Sequence, residues 1–139
     1  MRFLDANVFI YAYYKPKKEL DANKKAMKDR AKDIIQKINN GEAEVITTVV
    51  HISEISNILK RALSLEDITT ILIALYSLDN VRIADVTNED YLSAIELMDE
   101  TKLDPNDSLA VQVMRKEEIE EIYSFDKGFD RIRGIRRIT

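Results

Sequence analysis

Apolar residues along this chain fall into two rhythms, short β-branched runs and longer stretches recurring every three to four positions. Phe3-Leu4 ends a first strand, and a helix is predicted from Asn7 to Tyr14, just after Asp5. Lys15-Pro16-Lys17-Lys18 breaks the pattern, because proline disfavours helix at the residue before it. Leu20 to Asn39 then carries Ala22, Ala26, Met27, Ala31, Ile34, Ile35 and Ile38 at helical spacing, and Asn39-Asn40-Gly41 closes it. Glu44 to Thr48 reads as a strand, followed by a third helix from Val49 to about Leu63. Ser64, with Asp67 three residues on, starts a fourth helix from Leu65 to Leu78 in the manner of a capping box. Its segment Ile71 to Tyr76 is apolar on more than one face, which predicts deep burial or contact with a second subunit.

Val81 to Val86 is a further strand, and Thr87 with Asp90 caps a helix running to about Glu100. Asp104-Pro105-Asn106-Asp107 is a strong helix start, with Asp104 as N-cap and Pro105 in the first turn. Ile122 to Phe125 is a strand ending at Asp126, and a last short strand is predicted in Ile135 to Ile138. Strands and helices alternate without repeats or a linker. That order predicts an α/β fold with three layers, α/β/α, around a central parallel sheet. Ligands of such folds sit outside the carboxyl ends of the strands. Asp5 and Asp126 both follow a strand and so belong to that edge.

Composition narrows the chemistry. The 139 residues are expected to form one domain, residues 1–139, with 45% apolar content and only three Gly and two Pro. The absence of cysteine removes disulfides and thiolate metal sites, and a single histidine argues against zinc. A metal here would be held by carboxylates, which favours Mg²⁺ or Mn²⁺. No signal-like segment or bilayer-length apolar run is present, so the expectation is a soluble cytoplasmic protein without membrane association. The net charge of −4 is unevenly spread. Residues 15–32 carry eight Lys/Arg against three Asp/Glu, and residues 127–139 carry five against one, flanking an acidic middle. Basic ends around an acidic centre suit a polyanion held near a metal-loaded site, although solvated helix faces give the same pattern.

Four carboxylates are candidates for that site: Asp5, Glu54, Asp107 and Asp126. Each has a structural explanation alone. Asp5 can cap the helix after it, Asp107 complements a helix dipole, Asp126 opens the turn Asp126-Lys127-Gly128, and Glu54 borders the apolar stripe Ile52, Ile55, Leu59, Ala62. Together they can converge at one sheet edge, where like charges raise one another's pKa and a divalent cation relieves the repulsion. With a phosphate substrate, such a cation activates water and stabilises the leaving oxygen.

The segments "FLDANVFIYAY", "ITTVVHISEISNIL", "LDPNDSLAVQVM" and "IYSFDKGFDRI", in this order across the chain, resemble those of a PIN domain of the VapC toxin ribonuclease type. The resemblance implies a PIN-like α/β/α fold and an acidic, Mg²⁺- or Mn²⁺-dependent site that cuts single-stranded or structured RNA to 5′-phosphate and 3′-hydroxyl ends. By motif position, Asp5, Glu54, Asp107 and Asp126 would be the metal-binding, catalytic acids, and Asn7 and Ser124 would support them. Asp130 lies in the last motif and is either a further supporting carboxylate or a surface ion-pair partner. Ala6 stands where the family commonly has Thr. The resemblance also implies an antitoxin protein partner and a homodimer, for which the apolar fourth helix is the candidate surface.

Other readings compete. A PIN-fold module that binds RNA or protein without cutting would not need all four acids. A phosphoacceptor receiver domain would need an adjacent acidic pair after the first strand, which Asp5-Ala6-Asn7 lacks. Lys/Arg of residues 15–32 or 127–139 are candidates for phosphate contacts, and Tyr13 and Tyr14 are more readily packing residues than base-stacking ones. His51 is expected to be structural.

Overall fold

The computed structural model describes residues 1–13 and 21–139. Five strands form one sheet: β1 (Arg2–Leu4), β2 (Val45–Thr48), β3 (Val81–Ala84), β4 (Glu121–Tyr123) and β5 (Arg136–Ile138). Their order is β3-β2-β1-β4-β5, and every pairing is parallel, so β1 lies at the centre. Phe3 aligns with Ile46 on one side and Ile122 on the other. Among the described residues six helices connect the strands: α1 (Asn7–Tyr13), α2 (Ala22–Asn39), α3 (Val49–Leu59), α4 (Leu65–Ser77), α5 (Asn88–Thr101) and α6 (Pro105–Lys116). A 3-10 turn, Lys127–Arg131, links β4 to β5.

The period of two in each strand divides the interior between both faces of the sheet. Leu4, Val45 and Tyr123 point to one side, where they join Phe9 of α1, Ile35 of α2, Ile55 of α3 and Leu75 of α4. Their neighbours Phe3, Ile46 and Ile122 point to the other side, against Val111 and Met114 of α6 and Phe129 of the 3-10 turn. This is the three-layer α/β/α arrangement with a central parallel sheet that the alternation of elements predicts.

Helix starts follow the local chemistry. Thr48, Ser64, Thr87 and Asp104 each accept a hydrogen bond from the backbone N–H three residues on. Thr87 and Asp90 close a reciprocal capping box, at 2.9 and 3.1 Å. Among the described residues no helix is long and apolar enough to cross a membrane.

The structure departs from the sequence expectations in places. Helix α3 stops at Leu59 and not Leu63, because residues 60–63 turn to present Ser64, in extended backbone, as the cap of α4. The third strand ends at Ala84, two residues early, and the fourth ends at Tyr123. Asp126 therefore caps the 3-10 turn and does not close a strand directly. The predicted helix starts and breaks involving Tyr14 to Leu20 lie outside the described residues. Deep burial of α4 is not observed. Only Ile68 and Leu75 are buried there, while Leu65, Ile73 and Tyr76 are each more than half exposed.

Asn80 holds the near ends of two elements in place. Its Nδ2 donates to the carbonyls of Ile38 (2.8 Å) and Ala43 (2.7 Å), tying the α2–β2 turn to the start of β3. Asn80→Ala leaves both carbonyls without that donor and is expected to cost about 1–3 kcal/mol, read as a lower urea midpoint. An unchanged midpoint would mean that water replaces the amide without loss.

Candidate active site

The carboxyl ends of β1 and β4 lie side by side, and the site is built where they emerge. Asp5 follows Leu4 directly, and its backbone N–H donates to the Tyr123 carbonyl at 3.0 Å, extending the β1–β4 ladder by one step. The side chain is almost fully buried, 3% exposed. Ser124, from the neighbouring strand end, donates its hydroxyl to Asp5 Oδ2 at 2.6 Å and accepts from the Asp126 N–H at 3.0 Å. Asn7 crosses in the other direction: its Oδ1 accepts from the Phe125 N–H at 3.2 Å. Asn7 and Ser124 thus lock the two strand ends together around Asp5.

Asp126 uses Oδ1 to accept from the Gly128 N–H at 2.8 Å, which fixes the turn and the carboxylate together. Gly128 has little space for a side chain, since a Cβ there would lie 2.7 Å from Leu103 and 3.1 Å from Asp126 Oδ1. Asp107 occupies the first turn of α6, with its N–H bound to the cap Asp104 at 2.8 Å. Glu54 stands on α3 beside the buried residues Ile52 and Ile55, half-buried, with Oε2 shielded from solvent and lacking a hydrogen-bond partner.

Electrostatics show that these groups share one environment. Burial raises the Asp5 carboxyl to about 7; the Ser124 hydroxyl and the Ala6 backbone oppose that rise, and the charges of Glu54 and Asp126 add to it. Asp107 is pushed well above the carboxylate range, first by burial, then by Asp5, Asp104 and Asp126, and last by a hydrogen bond to Asp126. Glu54 is raised by burial and by Asp104, while the Asn106 side chain works against the rise. None of the four acids has an ion-pair partner among the described residues. The structure therefore brings Asp5, Asp107 and Asp126 into mutual repulsion, with Glu54 in electrostatic reach of Asp5. Among the described residues, however, no group of three or more His, Cys, Asp or Glu is already arranged to hold a metal ion.

Two residues stand apart from this cluster. Asp130 is exposed and bound by Arg137 through both oxygens, at 3.0 and 3.1 Å, which lowers its pKa. Its link to the site runs through Arg137, which also reaches the Ser124 carbonyl at 3.5 Å. His51 is fully buried, with Nδ1 2.7 Å from Thr48 Oγ1 and its ring edge-on to Phe3. Burial lowers it to about 4 against an opposing influence from the Asn106 backbone, so it is neutral at physiological pH and serves packing.

A parallel α/β/α sheet carrying acids at its carboxyl edge is consistent with nuclease activity. The sequence matches the PIN domain family over residues 2–135, and the chain belongs to that family. It is similar in fold to VapC20 of Mycobacterium tuberculosis, described as a sarcin-ricin loop cleaving toxin, with 22% identity and a TM-score of 0.68. That alignment covers 91% of this chain and 90% of the other. A toxin-antitoxin complex from Klebsiella pneumoniae is similar at 14% identity and a TM-score of 0.67, covering 100% of this chain and 97% of the other. At these identities the likeness is one of fold. No curated protein matches the sequence.

The raised Asp5 carboxyl has a consequence for stability. Its folded value, about 7, exceeds the unfolded value, so the folded state binds the proton more tightly. The stabilisation is complete below about pH 4 and disappears as pH rises toward 7, amounting to as much as about 4 kcal/mol for this one group. In EDTA the wild type should melt at a lower temperature at about pH 8 than at about pH 5.5, and Asp5→Asn should flatten that dependence. Melting curves that rise steadily with pH in the wild type would contradict this assignment.

Proposed function

We propose that this PIN-domain chain is a divalent-metal-dependent endoribonuclease, the toxin of a toxin-antitoxin pair. The observation that carries this reading is the convergence of Asp5, Asp107 and Asp126 with no ion-pair partner among the described residues, where Glu54 Oε2 also lacks a hydrogen-bond partner. An all-oxygen donor set suits Mg²⁺ or Mn²⁺. The carboxylates repel one another yet form no ready cage. Mg²⁺ usually keeps several waters and takes one or two carboxylates directly, so the other acids would act through those waters.

Asp5, Glu54, Asp107 and Asp126 would hold the cation. When bound, it lowers the pKa of a water molecule and stabilises charge on the leaving oxygen. Ser124 and Asn7 keep Asp5 oriented, and the buried surroundings strengthen every charge at the site. Glu54 would face the cation through Oε2, which has no hydrogen-bond partner among the described residues, and the surrounding carboxylates would take up the proton of the attacking water. In-line displacement of the 3′ oxygen then leaves 5′-phosphate and 3′-hydroxyl ends. Single-stranded RNA, or unpaired parts of structured RNA, is the substrate class. The description of VapC20 as a cleaving toxin, and the occurrence of the Klebsiella relative in a toxin-antitoxin complex, support this reading and that of an antitoxin partner. We also propose that residues 1–139 act as one cytoplasmic domain that pairs as a homodimer through the exposed apolar side of α4.

A non-cleaving PIN-fold module is the competing reading, for which the acids need not be grouped to hold a metal ion, as they are not among the described residues. One assay separates the two. A labelled single-stranded RNA is incubated with wild type and Asp5→Asn, in Mn²⁺, Mg²⁺ or EDTA. Metal-dependent cutting by the wild type, reduced about 100-fold or more in Asp5→Asn, is expected. Absence of cutting across several RNAs, together with no Mn²⁺ binding, would leave the binding module as the answer.

A further inference from the structure

Beside Glu54 the surface opens into a cleft of about 350 Å³, lined chiefly by Ser53, Glu54, Asn57, Arg61, Tyr91 and Asn106. We infer that this cleft is the subsite for one unpaired nucleotide adjacent to the scissile phosphate, with Arg61 on the phosphate and the amides of Asn57 and Asn106 toward the base or ribose. The inference rests on the nuclease reading and adds to it where the RNA lies.

Spacing along α3 is the first support. Ser53, Glu54, Asn57 and Arg61 succeed one another at intervals of one, three and four residues and make one polar stripe. Arg61, in the turn just past the helix end, stands roughly 10 Å along the axis from Glu54. A chain running down this stripe from the acidic site therefore meets a guanidinium after one or two nucleotides.

Charge is the second support. Arg61 is exposed and has no ion pair among the described residues. Two of the five basic residues of the carboxyl end are otherwise engaged: Arg136 pairs with Glu121, and Arg137 with Asp130. A free guanidinium next to a carboxylate site that must accept phosphate supplies the attraction which the acids cannot, and its fork matches phosphate oxygens.

The far wall is rigid and polar. Tyr91 donates its hydroxyl to Asn106 Oδ1 at 2.6 Å, so α5 fixes an amide at the start of α6, and the same side chain also bonds Glu54 in the wall of the cleft. Amides in fixed orientation suit the hydrogen-bonding edge of a base that is not already paired. At about 350 Å³ the cleft lies at the small end of ligand sites and has no room for a duplex.

The test measures binding apart from cleavage. Anisotropy of a short fluorescein-labelled single-stranded RNA is followed in EDTA for wild type, Arg61→Ala, Asn57→Ala and Lys60→Ala. Lys60 is adjacent in sequence and exposed but does not line the cleft, so its variant controls for loss of one charge. Arg61→Ala should weaken binding about tenfold and reduce the salt slope by about one, whereas Lys60→Ala changes little. Asn57→Ala should alter the ranking of oligo(A), oligo(C), oligo(G) and oligo(U). If the wild type binds and cuts RNA while Arg61→Ala behaves as Lys60→Ala does, the subsite is refuted and the nuclease reading stands. If the wild type neither binds nor cuts RNA, both fall together.

Discussion

Parallel pairing of β1 with β4 is the contact on which the rest of the site depends. It carries the chain from Leu4 into Asp5 and from Tyr123 into Ser124 at the same height, so that the two connections leave the sheet together. Ser124 and Asn7 then bond across the gap, each from one strand end to the other. These are short polar side chains and have no reach to spare. A shift of one residue in the β1–β4 register would turn Asp5 to the other face and separate it from Ser124.

That placement is electrostatically unfavourable by itself. Asp5, Asp107 and Asp126 arrive from three different elements into one half-buried space, and none of them has an ion-pair partner among the described residues. The apolar layers on both faces of the sheet have to offset the cost, and the two cores anchored on Leu4 and Phe3 surround the strand ends directly. A fold that tolerates such repulsion at one edge keeps charge ready for a ligand of opposite sign. The same burial that disfavours the ionised acids also makes any cation they bind more effective, because screening is weak there.

The fold was largely legible in the sequence because period-two runs and capped helices agree with one another along the chain. Thr87 with Asp90 and Asp104 with Pro105 mark helix starts within a residue. The placement of Asp5 at a strand end was legible for the same reason. Features set by tertiary contacts were not. The end of α3 depends on the turn that frees Ser64 to cap α4, and the burial of His51 depends on the Phe3 ring across the sheet. Asp130 sits in a plausible motif position, yet Arg137, brought alongside by β5, takes up both its oxygens. The apolar character of α4 was evident, whereas the choice of Ile68 and Leu75 as its buried side came only with the neighbours.

Charge distribution along the chain also changes meaning once it is folded. A count of Lys and Arg makes residues 127–139 a candidate for phosphate contact, but Arg136 and Arg137 are spent on Glu121 and Asp130 within the molecule. Arg61 belongs to a segment whose net charge is strongly negative, so no count singles it out. Its position on the same stripe as Glu54 gives it significance. Lys127, Arg131 and Arg133 also lack an ion pair among the described residues, so what sets Arg61 apart is its place on that stripe. The long-range field carries the sum of the charges, while contact is made by individual groups. Recognition of this kind is therefore read from helix geometry and ion pairing taken together.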